Sequence, residues 1–388
     1  MKTRKESDFL GSVEVPAEAY YGVFTVRALR NFSISGIKAP EKFIRSLALV
    51  KKACALANME LGLLDKRSGN AIVQAADEVI KGKHTEQFPL DVYQAGAGTP
   101  YNMNMNEVLS NRALEILGQE RGKYEIVNPN NHANMSQSSN DVIPTATRIS
   151  VLYAIAELLP SLEKLEKALE RKGDEFSKIV KTGRTHYQDA VPITLGQEFH
   201  AYANRIREAE KRIKNASEEL KNLGIGGTAI GTGINTHPKF SGLVVERLNA
   251  ESGFGLKVAD DKIDKTQNFD DFVSVSNSLR MLCVDLLKIS NDLKLLNSGP
   301  NAGIAEIMLP EVEPGSSIMP GKVNPSIPEC LDMVCFEVMG RDQAVMLGAA
   351  NGVLELNVYT PLIMHDLLDS LSILKNAIGM FSDLCIEG

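Results

Sequence analysis

The sequence predicts a mainly α-helical protein, an elongated central bundle of long helices preceded by a mixed, mostly helical N-terminal domain. Three observations lead there. Apolar residues recur at alternating steps of three and four over several long stretches, the spacing that lines one face of an α-helix. The chain has 388 residues and 44% apolar content, enough to bury a large core and to form two or three structural units. The segments that break the helical pattern are short and rich in glycine, serine, threonine and asparagine, as turns between helices are.

Before about residue 138 the pattern is mixed, with helical stretches near 43 to 64 and 104 to 118 and turn-rich segments between them. A boundary there divides an N-terminal domain, 1–138, from a long-helix bundle, 139–388. The first bundle seam passes through Leu158, Leu162, Leu165 and Leu169 and is expected to stop at Gly173 in a left-handed cap. The second uses Phe199, Ala203, Ile206, Ala209, Ile213, Ala216 and Leu220. The third runs through Phe272, Val275, Leu279, Leu282, Leu286, Ile289, Leu293 and Leu296. At about 1.5 Å per residue that helix is roughly 40 Å long. The last passes through Leu367, Leu371, Leu374, Ile378 and Phe381. Helices of this length need partners of equal length, which a bundle supplies. Their narrow seams also suit association between chains, so a homo-oligomer with a helical core is expected.

A net charge of −7 argues against a polyanion-binding surface and so against nucleic acid as a partner. The start, MKTRKESDFLGS, has basic residues with no apolar core behind them, and no uninterrupted apolar run approaches the roughly 20 residues of a membrane span. No membrane association is expected, and the protein reads as cytoplasmic. Cys54, Cys283, Cys330, Cys335 and Cys385 are scattered, without a CxxC pair or a histidine spacing that would make a zinc site. They read as reduced core residues, and no metal is expected.

Four segments carry the polar chemistry: Gly96-Ala97-Gly98-Thr99, Ser136 to Asp141 (SQSSND), Gly183-Arg184-Thr185-His186, and Gly315 to Pro325 (GSSIMPGKVNP). Small, hydroxyl-bearing and amide residues permit close backbone approach and dense hydrogen bonding to carboxylate oxygens. Together they suggest an anion pocket, although a Ser/Asn/Asp cluster by itself is ordinarily a turn or a helix cap. The last segment says more. It places two hydroxyls, a lysine and an amide within nine residues, and Ile318 and Met319 in its middle imply that it folds over something. Gly224 to Ala229 fits the GxGxxA dinucleotide pattern, but it follows an amphipathic helix and no βαβ unit is expected around it, so no nucleotide role is assigned.

GSSIMPGKVNP closely resembles the signature loop of the aspartase/fumarase superfamily, and the other three segments resemble its remaining active-site regions in the same order. The resemblance extends from GSVEVPAEAYYGVFTVRALRNF to LNVYTPLIMHDLLDSL, essentially the whole chain. It implies the superfamily's lyase fold. Within the superfamily, DVYQAGAGT, the NPSIPE that follows the signature, and Asn297 to Gly303 are closer to aspartases than to class II fumarases. The implied reaction is therefore elimination of ammonia from L-aspartate to give fumarate. Other positions depart from the aspartase pattern: Ser139 gives the SSN triplet typical of fumarases, Asn301 replaces a common Arg, Asn131 an Asp, and Phe24 a His or Gln. Members normally continue into a small helical third domain. This chain stops at Gly388 and is expected to lack it, whether shortened or short by nature.

Removing a proton next to a carboxylate creates a dianionic aci-carboxylate, which demands a base and concentrated positive or hydrogen-bonding character. The protein can supply both, so no cofactor is expected. By resemblance Ser316 is the base, acting as an alkoxide stabilised by Lys322 and the loop amides once the loop closes. Lys322 and Asn324 hold one substrate carboxylate with Thr185, and Ser317 adds a donor. Thr99, Ser138 and Ser139 hold the other. Asn140 and His186 face the leaving ammonium, with Glu329 orienting His186 from behind. In the family the pocket is assembled from three subunits of a tetramer, so a homotetramer with shared sites and a small dicarboxylate amino-acid substrate are expected. Two other readings remain at this point: a class II fumarate hydratase, favoured by Ser138-Ser139-Asn140, and a catalytically silent helical scaffold.

Overall fold

The computed structural model describes residues 2–387. In chain order the elements are strands β1 (Thr3–Asp8) and β2 (Gly11–Pro16), helices α1 (Val23–Asn31), α2 (Glu41–Glu60), α3 (Lys66–Ile80), α4 (Thr99–Ile116) and α5 (Ser139–Glu175), and strands β3 (Val180–Thr185) and β4 (Gln188–Thr194). There follow α6 (Leu195–Glu219), β5 (Asn222–Leu223), α7 (Phe240–Ser252), β6 (Lys257–Val258), α8 (Lys262–Gln267), α9 (Asp270–Leu296), α10 (Ser326–Ala350) and α11 (Thr360–Phe381). Among the described residues the strands pair only two by two: β1 with β2 and β3 with β4 antiparallel, β5 with β6 parallel. The protein is mainly α.

Contacts divide the chain into two compact units, one of residues 1–153, 219–273 and 344–368, the other of 154–218, 274–343 and 369–388. In the first unit α2 packs on α3 and α7, and α3 on α4. A core of Ala55, Leu64, Ala71, Ile72, Ala113 and Leu114 lies among α2, α3 and α4. Polar anchors fix its edges. The buried Glu107 carboxylate accepts N–H bonds from Gly22, Phe24 and Thr25, so the start of α1 is held by a side chain of α4. Arg4 donates to the carbonyls of Ala19 and Tyr21 and closes the first hairpin onto the following turn. Arg148 and Asp271 form a fully buried ion pair, with the guanidinium over the Phe272 ring.

The second unit holds the long seams. Leu158, Leu162, Leu165 and Leu169 of α5, Phe199 to Ala216 at the predicted spacing in α6, Val275 to Leu296 in α9 and Leu371 to Phe381 in α11 are all buried. Polar ties join neighbouring helices: Tyr202 Oη donates to Asp292, and Ser276 Oγ to Asp342.

Three expectations change. The helix expected to stop at Gly173 starts at Ser139 and continues to Glu175. Gly173 is needed for close approach instead, since a Cβ there would lie 2.7 Å from the His200 ring. A small parallel pair, β5 and β6, does flank α7, so the glycine-rich stretch after residue 223 follows a strand of two residues. Finally, α5 contains a stretch long and apolar enough to cross a membrane by length and composition, and 78% of that stretch is buried within the protein, as in a core helix.

Candidate active site

The SQSSND segment becomes the start of α5. Ser138 is its cap: its Oγ accepts from the Asn140 N–H at 3.2 Å, while Asp141 Oδ1 accepts from the Ser138 N–H at 3.0 Å. This reciprocal arrangement is a capping box with Asp in the place of Glu. The other oxygen of Asp141 accepts from the N–H groups of Gly226 and Thr228, both at 3.0 Å. Burial pushes the Asp141 carboxyl up to about 6, against the opposing pull of those N–H donors. The glycine-rich loop dismissed as a nucleotide decoy thus spends two of its backbone donors on the protein's own carboxylate. That contact brings Thr228 and Ala229 alongside Ser138 and Ser139, and Asn140 Nδ2 donates to the Ala229 carbonyl at 2.7 Å.

The result is a cavity of about 430 Å³ whose wall includes Asn102, Asn134, Gln137, Ser138, Ser139 and Thr228. Hydroxyls, amides and the first turn of α5 converge there, which favours a carboxylate. Thr99 begins α4, one turn before Asn102, after a turn in which Ala97 and Gly98 both have positive φ. Gly98 packs against Ile143, where a Cβ would meet the side chain at 2.9 Å. Thr99, Ser138, Ser139 and Asn140 therefore all lie in the first unit, at or beside one polar wall.

Thr185 and His186 lie in the second unit, at the tip of the β3–β4 hairpin. Thr185 pairs with Gln188, leaving a two-residue turn of His186 and Tyr187, at φ 54° and 60°. A tight hairpin of this kind ordinarily carries Asn-Gly, because each non-glycine residue in the left-handed region costs about 1–2 kcal/mol. Two such residues in succession mark a constraint other than stability. The turn rests on a charged base, in which Lys181 bridges Glu198 and Glu306 at 2.9 and 2.8 Å and Arg184 pairs with Glu306. His186 itself is exposed and lines a cavity of about 650 Å³ with Lys181, Arg184, Tyr202 and Asp292.

The Gly315–Pro325 segment forms a self-contained loop before α10. The Gly315 N–H donates to the Lys322 carbonyl at 2.7 Å and Asn324 Nδ2 to the Gly315 carbonyl at 2.8 Å, so the two ends are clamped. Inside, Ser316 Oγ accepts from the N–H groups of Ile318 and Met319, at 3.2 and 3.1 Å. Lys322, Ser317 and Ile318 are exposed, and Ile318 keeps 83% of its surface open. A second cavity of about 430 Å³ lies against this loop and includes Ser316 and Lys322. It shares no lining residue with the His186 cavity. Glu329, in the first turn of α10, is exposed, and among the described residues no hydrogen bond joins it to His186.

The first unit thus carries one polar wall, and the second unit two cavities with no lining residue in common. Asn102, Asn134 and Thr228 of the wall are not among the expected site residues, and Gln137 figures only as part of the SQSSND segment. For Asn102 the signal available was the run of polar residues on α4, TPYNMNMNE, whose asparagines 102, 104 and 106 are buried.

The model of the lyase family matches residues 11–340. The chain belongs to this family, the aspartase/fumarase superfamily. It is 49% identical to an aspartate ammonia-lyase of a Bacillus species over 99% of this chain and 82% of the relative. It is also 49% identical to a class II fumarate hydratase of Nitrosomonas europaea, over 99% of this chain and 84% of the relative. Among solved structures, a fumarate lyase:delta crystallin of Brucella melitensis bound to cobalt superposes with a TM-score of 0.98 at 46% identity, covering 100% of this chain and 85% of that one.

Proposed function

We propose that this protein is an aspartate ammonia-lyase, which eliminates ammonia reversibly from L-aspartate to give fumarate. The observation that carries the reading is the state of Ser316: its oxygen accepts two backbone N–H groups in a loop that also carries Lys322 and Asn324. Donors aimed at a hydroxyl oxygen stabilise it most when it is negative, which is what a serine needs to act as a base. The similarity to aspartate ammonia-lyases along 99% of the chain supports the same reading.

In this account the Ser316 alkoxide takes a proton from the carbon next to a substrate carboxylate. The released electron pair is held as an aci-carboxylate, then forms the carbon–carbon double bond as the carbon–nitrogen bond breaks and ammonia leaves with its electron pair. Lys322, Asn324 and Thr185 hold one carboxylate, with Ser317 as a further donor. Thr99, Ser138 and Ser139 hold the other. Asn140 and His186 face the departing nitrogen, and Glu329 orients His186.

The polar wall and the two cavities are open on a single chain, which fits a homotetramer whose sites are shared between subunits. Met281 and Val284 of α9 and Met333 and Phe336 of α10 are exposed apolar residues suited to such contacts. We place the enzyme in the cytoplasm, where its unpaired cysteines would stay reduced.

The Ser138-Ser139-Asn140 triplet and the Nitrosomonas relative favour a second reading, a class II fumarate hydratase. Ultraviolet absorbance of fumarate separates the two when purified protein is added to L-aspartate and, separately, to L-malate. Fumarate from aspartate alone is the expected result. Fumarate from malate alone would replace the ammonia-lyase by the hydratase, and none from either would remove both.

A further inference from the structure

Behind the polar wall of the first unit sits a lysine that no step above uses. Lys51, on α2, is fully buried. Its Nζ donates to Asn134 Oδ1 at 2.9 Å and to Gln137 Oε1 at 2.8 Å, both neutral acceptors. Burial pushes the Lys51 ammonium down to about 7, and no carboxylate is among its hydrogen-bond acceptors. What it organises is visible from its acceptors outward. Gln137 turns its Nε2 onto the Ala133 and Met135 carbonyls, at 3.2 and 3.0 Å, and so closes the turn that leads into α5. Asn134 Oδ1 also accepts from Asn102 Nδ2 at 3.2 Å, and that same amide nitrogen donates to Ser139 Oγ at 3.1 Å. Asn102, Asn134, Gln137 and Ser139 all line the cavity.

We propose that Lys51 is the positioning residue of the carboxylate wall: from the interior it holds the Asn134 and Gln137 carbonyls inward and so fixes the Asn102–Ser139 contact. The proposal rests on the reading that this cavity takes a substrate carboxylate. Lys51 does not touch substrate. It acts through the two amides: without it Gln137 Oε1 would be buried unpaired or turn, repulsive to an anion, toward the cavity, and Asn134 Oδ1 would keep only the Asn102 amide.

The test uses full-length protein, succinate as the binding probe in calorimetry, and L-aspartate as substrate. Wild type comes first, because absence of both succinate binding and turnover there would overturn the functional reading and this proposal with it. Given a competent wild type, Lys51→Met is expected to raise the succinate Kd and the L-aspartate KM by about tenfold or more, with kcat within about threefold. Lys51→Arg, which keeps N–H donors at this position, is expected to restore Kd to within about threefold of wild type. A merely structural lysine would lower thermal stability and leave Kd and KM unmoved, and that result, or equal weakening by Met and Arg, overturns the proposal. Should the Met variant not fold, Gln137→Met decides the matter: it leaves Lys51 in place, removes one of its acceptors at a half-buried position, and is expected to weaken succinate about fivefold. Unchanged binding in that variant overturns the proposal equally.

Discussion

Ser138 and Ser316 are both half-buried serines at the edge of a cavity of about 430 Å³, and the chain holds them in opposite ways. Ser138 is locked by distant parts of the sequence. It bonds to Asp141, and Asp141 is held by backbone donors 85 and 87 residues further along. Ser316 is held only by its own loop, through N–H groups two and three residues on, and its neighbours Ile318 and Lys322 stand in solvent. The difference teaches where each kind of chemistry can be placed. A group that only receives a carboxylate gains from being fixed before the ligand arrives. A base that must lose water to become strong gains from a loop that can close over it.

The largest effect should come from the loop side. Ser316→Ala is expected to lower kcat for fumarate formation by about 10³-fold or more, with the melting temperature and assembly unchanged, because the lost hydroxyl bonds only within an exposed loop. Absorbance kinetics and a thermal melt check both halves. The fixed side should behave in the reverse manner. Asp141→Ala leaves the Ser138, Gly226 and Thr228 amides without their acceptor, and should destabilise the fold by about 3 kcal/mol in urea unfolding while raising KM. A stable Asp141→Ala protein would erase the contrast between the two regions.

A smaller effect sharpens the contrast at the His186 turn. Tyr187 is 83% exposed and has φ 60°, so Tyr187→Gly should stabilise the protein by about 0.5 kcal/mol, the relief of left-handed strain exceeding the entropy lost by glycine. Destabilisation in urea would mean that the tyrosine is packed in the assembled protein. An effect that changes only at low pH concerns the ion pair between α3 and α4 of the first unit. The Arg112 hydrogen bond, aided by His84, lowers the Glu78 carboxyl from its ordinary 4.5 to about 2. A depressed carboxylate stabilises the fold above its unfolded pKa and loses that contribution as pH falls through its folded value. Wild type should therefore exceed Glu78→Gln in thermal stability above pH 4.5, and the gap should close toward pH 2. A gap that is constant with pH would remove the charge from the explanation.

Much of the helical fold was legible because burial follows a period. Every seam residue named from Phe272 to Leu296 is buried, since a face that repeats at three and four residues can satisfy itself only against another apolar face. The polar segments were legible for the complementary reason: each interrupts that period, and each sits at a turn, a cap or a loop. What escaped depends on partners far along the chain. Lys51, beside Lys52, draws no reading from the sequence, because nothing local announces acceptors 83 and 86 residues away. The 224–228 loop reads as a dinucleotide decoy with no role of its own, because nothing local shows that Asp141 takes two of its donors. Gly173 reads as a cap until the His200 ring is found against it.

Hydrogen exchange followed by mass spectrometry tests the central claim, a preformed carboxylate wall and a base delivered by a loop, most directly. Without ligand, the peptides spanning 138–142 and 224–228 should exchange slowly and the 315–324 peptide within seconds, and succinate should slow only the latter to a large degree. A loop already protected without ligand, or a wall that becomes protected only when succinate binds, would contradict the account.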